Sequence, residues 1–189
     1  MLCAVVAVLL AQSARDHVER YRSFLSAANE DPPVPPQVSM GVGTSLVTFD
    51  LDLFTMRVET SFSDLAGTTT QANIHCCIDP PGNVGVATET PSFTGFPLGV
   101  MAGSMDTTFD MSLATSHTAP FLTANGGSTS NAFQALYEGI RDGRAYFNIH
   151  TSVRGGGEIR GHYFFVPEPS SLALVLMGLV GCVARRPKR

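Results

Sequence analysis

The chain has no tryptophan, and its one lysine is the penultimate residue, Lys188. Charged residues fill only 15% of its 189 positions. Residues 1–184 hold 8 arginines, no lysine and 16 acidic residues, so the body carries about −8 against −4 for the whole chain. An acidic, lysine-free body offers no basic face to phosphates, which argues against nucleic acid as a partner. It suits a cationic partner or solubility outside the cell. Compact metal-ligand spacings of the His-x-His or Cys-x-x-Cys kind are missing, and so is a glycine loop that opens a helix to cradle phosphate. The glycines at 155–157 introduce a strand and read as a turn or bulge. Asn83 precedes Val84 and Gly85, which is no glycosylation sequon. What abounds is phenylalanine (12), glycine (18) and proline (12), the composition of a β-rich, turn-rich fold with little helical surface.

The length allows one domain plus targeting ends. Residues 1–11 are apolar, with small residues at Ala11, Ser13 and Ala14, and read as a secretory signal over 1–14. No Lys or Arg precedes the apolar run, so either the free amine serves or the true start lies upstream. At the other end stand Pro167, Glu168 and Pro169, the uncharged segment 172–184, and a basic cluster of Arg185, Arg186, Lys188 and Arg189. With Ser170 and Ser171 the uncharged run reaches 15 residues, which as a helix covers ~22 Å of a ~30 Å hydrocarbon core. Thinning of the bilayer or snorkelling arginines closes that gap. The cluster holds the C-terminus in the cytoplasm and places everything upstream outside. In order and spacing, 166–189 resembles the PEP-CTERM sorting signal of Gram-negative bacteria. That resemblance implies processing by an exosortase at Pro167-Glu168-Pro169. It also implies an inner-membrane intermediate and a destination at the cell surface or in an extracellular, polysaccharide-containing matrix.

The cysteines divide along the same lines. Cys3 lies in the leader and Cys182 in the tail, leaving Cys76 and Cys77 for the body. Outside the cell such a pair is a vicinal disulfide, bridges other chains, or stays as protected thiols. Neighbouring Cα atoms sit ~3.8 Å apart across a trans peptide, which excludes a long loop-closing staple.

Between these ends, short alternating stretches are separated by Gly and Pro. Residues 21–27, 43–52, 55–62, 69–77, 106–113, 145–151 and 158–165 read as strands, and 31–36 is a proline-rich loop. In 43–52, Val47, Phe49 and Leu51 share one face. Residues 130–142 place Phe133, Leu136, Tyr137 and Ile140 at helical spacing, with Ser130 as N-cap and Gly143 as stop. The stretch 80–104 is an excursion between strands. The expected fold is mainly β: an antiparallel β-sandwich of Greek-key or Ig-like type over residues 20–166, one short helix, and an apolar C-terminal helix within 167–189.

Several fragments resemble the CHRD domain, first described in chordin. They are residues 21–30 with Pro32 and Pro33, 43–50, Ala72-Asn-Ile-His75, Ala145-Tyr-Phe-Asn-Ile-His-Thr151 and Gly156-Gly-Glu-Ile-Arg-Gly161. After His75 the family commonly continues with Gly-Pro, where this chain has Cys76 and Cys77. The resemblance implies a β-sandwich-type domain with a binding or structural role, and supplies no catalytic residue.

His75 and His150 each sit on a strand near an asparagine (Asn73, Asn148), and Glu158 and Arg160 lie one strand later. Two readings fit. One is a zinc or copper site made of both imidazoles and a carboxylate, which would make the protein a metal-dependent sandwich enzyme. The other is a structural polar network in which each imidazole bonds a backbone carbonyl and Glu158 pairs with Arg160 or bridges to His150. A Cys–His dyad at His75 lacks a third orienting group, and alternation puts Cys77, not Cys76, on the histidine's face. Asp50 and Asp52 could contribute to calcium binding but have no ligand loop. The expectation is a non-enzymatic exported protein without cofactor, with the metal enzyme as the alternative.

Overall fold

The computed structural model describes residues 17–167. The leader, Glu168, Pro169, the expected C-terminal helix and the basic cluster lie outside the described residues. Among the described residues no helix is long and apolar enough to cross a membrane.

The strands are β1 (Val18–Ser26), β2 (Val42–Asp50), β3 (Thr55–Ser63), β4 (Thr69–Cys76), β5 (Gly103–Asp110), β6 (Ala145–Thr151), β7 (Arg154–His162) and β8 (Phe164–Phe165). They form one antiparallel sheet, curled into a half-barrel, in the order β4-β6-β7-β1-β2-β3-β5, with β8 beside β1. The mainly-β, antiparallel expectation holds. The two facing layers of a Greek-key or Ig-like sandwich do not appear, because every named strand joins the same sheet. Alternation assigns each residue a face but says nothing of which strand lies next to which. Here β3 pairs with β5, while β4 leaves for the far edge to pair with β6.

Among the described residues two α-helices occur where one was expected. The first, α1 (Ala119–Ala124), is capped by Thr118, whose side chain accepts from the Phe121 N–H, and is too short to show a period. The second, α2 (Thr129–Arg141), starts one residue before the expected stretch, because Ser128 caps it by accepting from the Asn131 N–H. Its Phe133, Leu136, Tyr137 and Ile140 are buried at the predicted spacing. Phe133 and Tyr137 meet Phe49 of β2 edge-on at 5.7 and 5.5 Å. Phe49, Val47, Met56, Val58, Ile74, Phe147, Ile149 and Ile159 complete a core between the sheet's inner face and α2. Full burial of side chains of this size stabilises by about 1.5–3 kcal/mol each.

Three features of the sheet shape its outer face and its exit. The seam between β7 and β1 holds a single registered pair, Ser26 with Arg160, against nine between β1 and β2. Beside that seam β8 pairs Phe165 with Tyr21 and Phe164 with Arg22, and the Val166 N–H then donates to Arg20 O at 2.9 Å. The chain therefore leaves the sheet next to the start of β1. Lastly, the stretch 80–104 runs along the open edge of β4. Ala87 N–H donates to Ile74 O, Thr88 Oγ1 accepts from Ile74 N–H, and Phe93 N–H donates to Ala72 O. The excursion thus covers an edge that would otherwise present unpaired backbone groups.

Candidate functional site

On the outer face of β4, β6 and β7 the register aligns polar side chains in rows. His75, Tyr146 and His162 form one, and Asn73, Asn148 and Arg160 the next. The His75 ring stacks on Tyr146 at 4.8 Å with 6° between planes, and leans to within 5.8 Å of the His150 ring. Each imidazole is fixed through Nδ1: His75 to Val84 O at 2.7 Å, His150 to Gly155 O at 2.9 Å, and His162 to Gly143 O at 3.1 Å. A carbonyl can only accept, so Nδ1 carries the proton and Nε2 keeps its lone pair. Burial holds all three below the usual imidazole range, His75 down to about 4, with the neighbouring His150 and Arg160 adding to the effect there. They stay neutral at pH 7. The Nε2 atoms, with Asn73 Oδ1, Asn148 Oδ1 and Glu30 Oε1, find no partner among protein atoms, which makes this a layer rich in buried acceptors.

Arg160, fully buried, is the layer's hub. Its Nε donates to Asn29 O at 2.7 Å, Nη1 to Asn83 Oδ1 at 2.6 Å and Nη2 to Pro81 O at 2.6 Å, and the guanidinium lies 4.8 Å from the Tyr146 ring centre. Its nearest carboxylate is Glu30, at 3.8 Å, not Glu158. Desolvation raises the Glu30 carboxyl to about 7 although Arg160 pulls the other way. Glu158, also fully buried, pairs with neither Arg160 nor His150. It accepts from Ser39 Oγ (2.6 Å), the Ala66 and Gly67 N–H groups (2.5 and 3.2 Å) and Thr151 Oγ1 (2.6 Å). β7 carries a register shift between its Thr151–Arg154 and Ile149–Ile159 pairs, where Gly157 sits at φ +125° with Asn148 and Glu30 packed where a Cβ would stand, and this interrupts the regular alternation that put Glu158 and Arg160 together in sequence.

Cys76 and Cys77 form a vicinal disulfide across a cis peptide, with Cα atoms 3.1 Å apart rather than the 3.8 Å of a trans link. Both sulfurs face α2, 3.9 and 3.5 Å from Ala135 O and against Gly139, so Cys77 does not share the face of His75 as alternation suggested. No Cys–His dyad assembles. Nor does the zinc or copper set of the alternative reading: among the described residues no group of three His, Cys, Asp or Glu side chains is placed to hold a metal. His75 and His150 come together, while Glu158 and the cysteines are engaged elsewhere. Asp50 Oδ1 accepts from the Asp52 and Leu53 N–H groups, the cap of an exposed turn.

Glu30, Asn83, Tyr146 and His162 belong to the layer and escape a reading of the sequence. Tyr146 and His162 were within reach of one, since they share strand parity with His150 and Arg160. Glu30 and Asn83 arrive on loops, and nothing local marks them.

An outer-face polar layer buried beneath loops, on a one-sheet β body whose end passes straight into a Pro-Glu-Pro tail, defines a β domain joined to an export address. Comparison with known families gives both parts. The CHRD domain model matches residues 21–163 and the PEP-CTERM protein-sorting motif model matches 165–189. The chain belongs to the CHRD domain family and carries the sorting motif of exosortase-processed proteins. No curated protein and no solved structure matches it.

Proposed function

We propose that this is a non-enzymatic protein of the cell surface or extracellular matrix, in which the CHRD body serves a binding or structural role after delivery by the tail. The observation that carries the reading is the junction. The two family matches abut, at 163 and 165, where Val166 is bonded to Arg20 and the chain quits the sheet. Pro167, the first residue of the motif, is exposed at that exit. The body's own chemistry supports a non-catalytic role: its buried imidazoles are tied to backbone carbonyls, its two sulfurs are joined to each other, and Glu158 is spent on four donors. In this reading 1–14 is the leader, 20–166 the domain, and 167–189 is held in the inner membrane until an exosortase acts at Pro167-Glu168-Pro169. Cell fractionation with one tag upstream and one downstream of Pro167 tests it. The upstream tag is expected at the surface or in the medium and the downstream tag in the membrane; both together in the cytosol would refute it.

A further inference from the structure

The thin seam between β7 and β1 opens on the outer face into a cleft of about 530 Å³. Phe24 of β1 and Phe164 of β8 lie in it, ring centroids 5.6 Å apart and planes 34° apart, exposed by 57% and 44%. Pro33 stands on one side, and Pro80 and Pro81 on the other. These walls are pinned from below. Arg160 binds Asn29 O on one loop and Pro81 O and Asn83 Oδ1 on the other, and Asn83 Nδ2 donates to Asp31 O and Oδ2, tying the loops together. Loops held in this way lose little freedom when a ligand enters. Adjoining aromatic rings left in water between rigid walls mark a binding site rather than a packing fault.

The charge of the cleft selects its occupant. Asp31 and the buried Glu30 line it; no lysine or arginine is among the lining residues, Arg160 being fully buried and committed, and the exposed Arg22 stands beside it as Phe164's partner in the register. An anionic chain is therefore disfavoured. What fits is a molecule with flat C–H faces to lay on rings and O–H or N–H donors around its edge, which is the chemistry of a pyranose. We propose that this cleft binds a glycan of neutral or amino sugars, stacked on Phe24 and Phe164 and donating to Asp31. This deepens the surface-binding reading and rests on it. Phe164 stands two residues before Val166, so the cleft lies beside the point where the tail leaves the sheet.

The test is co-sedimentation of the full-length protein, in mild detergent, with insoluble chitin and cellulose, with alginate beads as the anionic control and a proline-rich peptide as competitor. Retention is expected on chitin or cellulose and not on alginate. Phe24→Ala and Phe164→Ala should each weaken it by about tenfold, and Phe24→Tyr, which keeps the ring, should not. Both rings are exposed, so the variants keep the core intact, and far-UV circular dichroism checks that they do. No retention on either neutral polymer, equal retention on alginate, insensitivity to Phe24→Ala, or displacement by the peptide at its own binding constant would each overturn the proposal. If the same protein is still processed and found at the surface, the export reading survives that failure.

Discussion

The guanidinium of Arg160 lies 4.8 Å from the centre of the Tyr146 ring while its nitrogens reach into two separate loops. A fully buried cation is tolerable only because ring, carbonyls and amide oxygen replace its water. Lysine offers one point charge in place of the planar fork and cannot serve three acceptors so placed. Arg160→Lys should cost about 2–4 kcal/mol and Arg160→Ala about 3–5 kcal/mol. The midpoint of urea unfolding at constant slope reads both.

Glu158 is the counterpart with no cationic partner, satisfied wholly by donors from Ser39, Ala66, Gly67 and Thr151. Glu158→Gln puts an NH2 where donors already point and leaves buried N–H or O–H groups facing it. A loss of about 2–3 kcal/mol is expected in thermal or urea unfolding. Ser39→Ala, which removes one donor to Glu158 and the hydroxyl oxygen that accepts from the Gly41 N–H, should cost about 1–3 kcal/mol.

Gly139 is helical, and in an open helix Ala would improve on it by about 1 kcal/mol. Here a Cβ would collide with the sulfurs of both Cys76 and Cys77, which are held in a buried bond and cannot swing aside. Gly139→Ala should therefore destabilise, by about 1–3 kcal/mol. In a Cys76→Ala/Cys77→Ala background the sign should reverse. A double-mutant cycle measures the coupling, and additive effects would show that the contact does not matter.

The buried histidines set the acid response. His75 is held near 4 in the fold against about 6.5 when unfolded, so the unfolded chain binds more protons between those values. Stability present above pH 6.5 is lost as pH falls toward 4, by about 3 kcal/mol from His75 alone. His150 and His162 are lowered as well, and so is His117, buried ahead of α1 with Nε2 bonded to Met111 O at 3.0 Å; all act in the same direction. Glu30 opposes them. Its carboxyl is raised to about 7, so its contribution is full below its unfolded value of about 4.5 and fades as pH rises through 7. Net stability should fall on acidification below pH 6.5. Glu30→Gln, neutral throughout, should make that fall steeper, and urea midpoints at three pH values across the window decide it.

Much of the body was legible because strands with one buried face must alternate. Residues 145–151 coincide with β6, and the helical spacing of Phe133, Leu136, Tyr137 and Ile140 gave α2. Strand order was not legible. Nothing near β4 says that the strand after β3 in sequence will pair with β6 across the sheet. At the site, His75 and His150 were visible as histidines on strands. The separation of Glu158 from Arg160 was hidden, because it goes with a register shift in β7 that no local pattern announces. Glu30 joins the layer from a loop across the seam, which no local pattern records.

Mass spectrometry of the mature protein's C-terminus decides whether this domain is released at its own C-terminal junction. A body ending at or beside Pro167-Glu168-Pro169, recovered from the surface or medium without the segment 172–184, is expected. A chain still ending in Arg189 and recovered from the cytosol would contradict it.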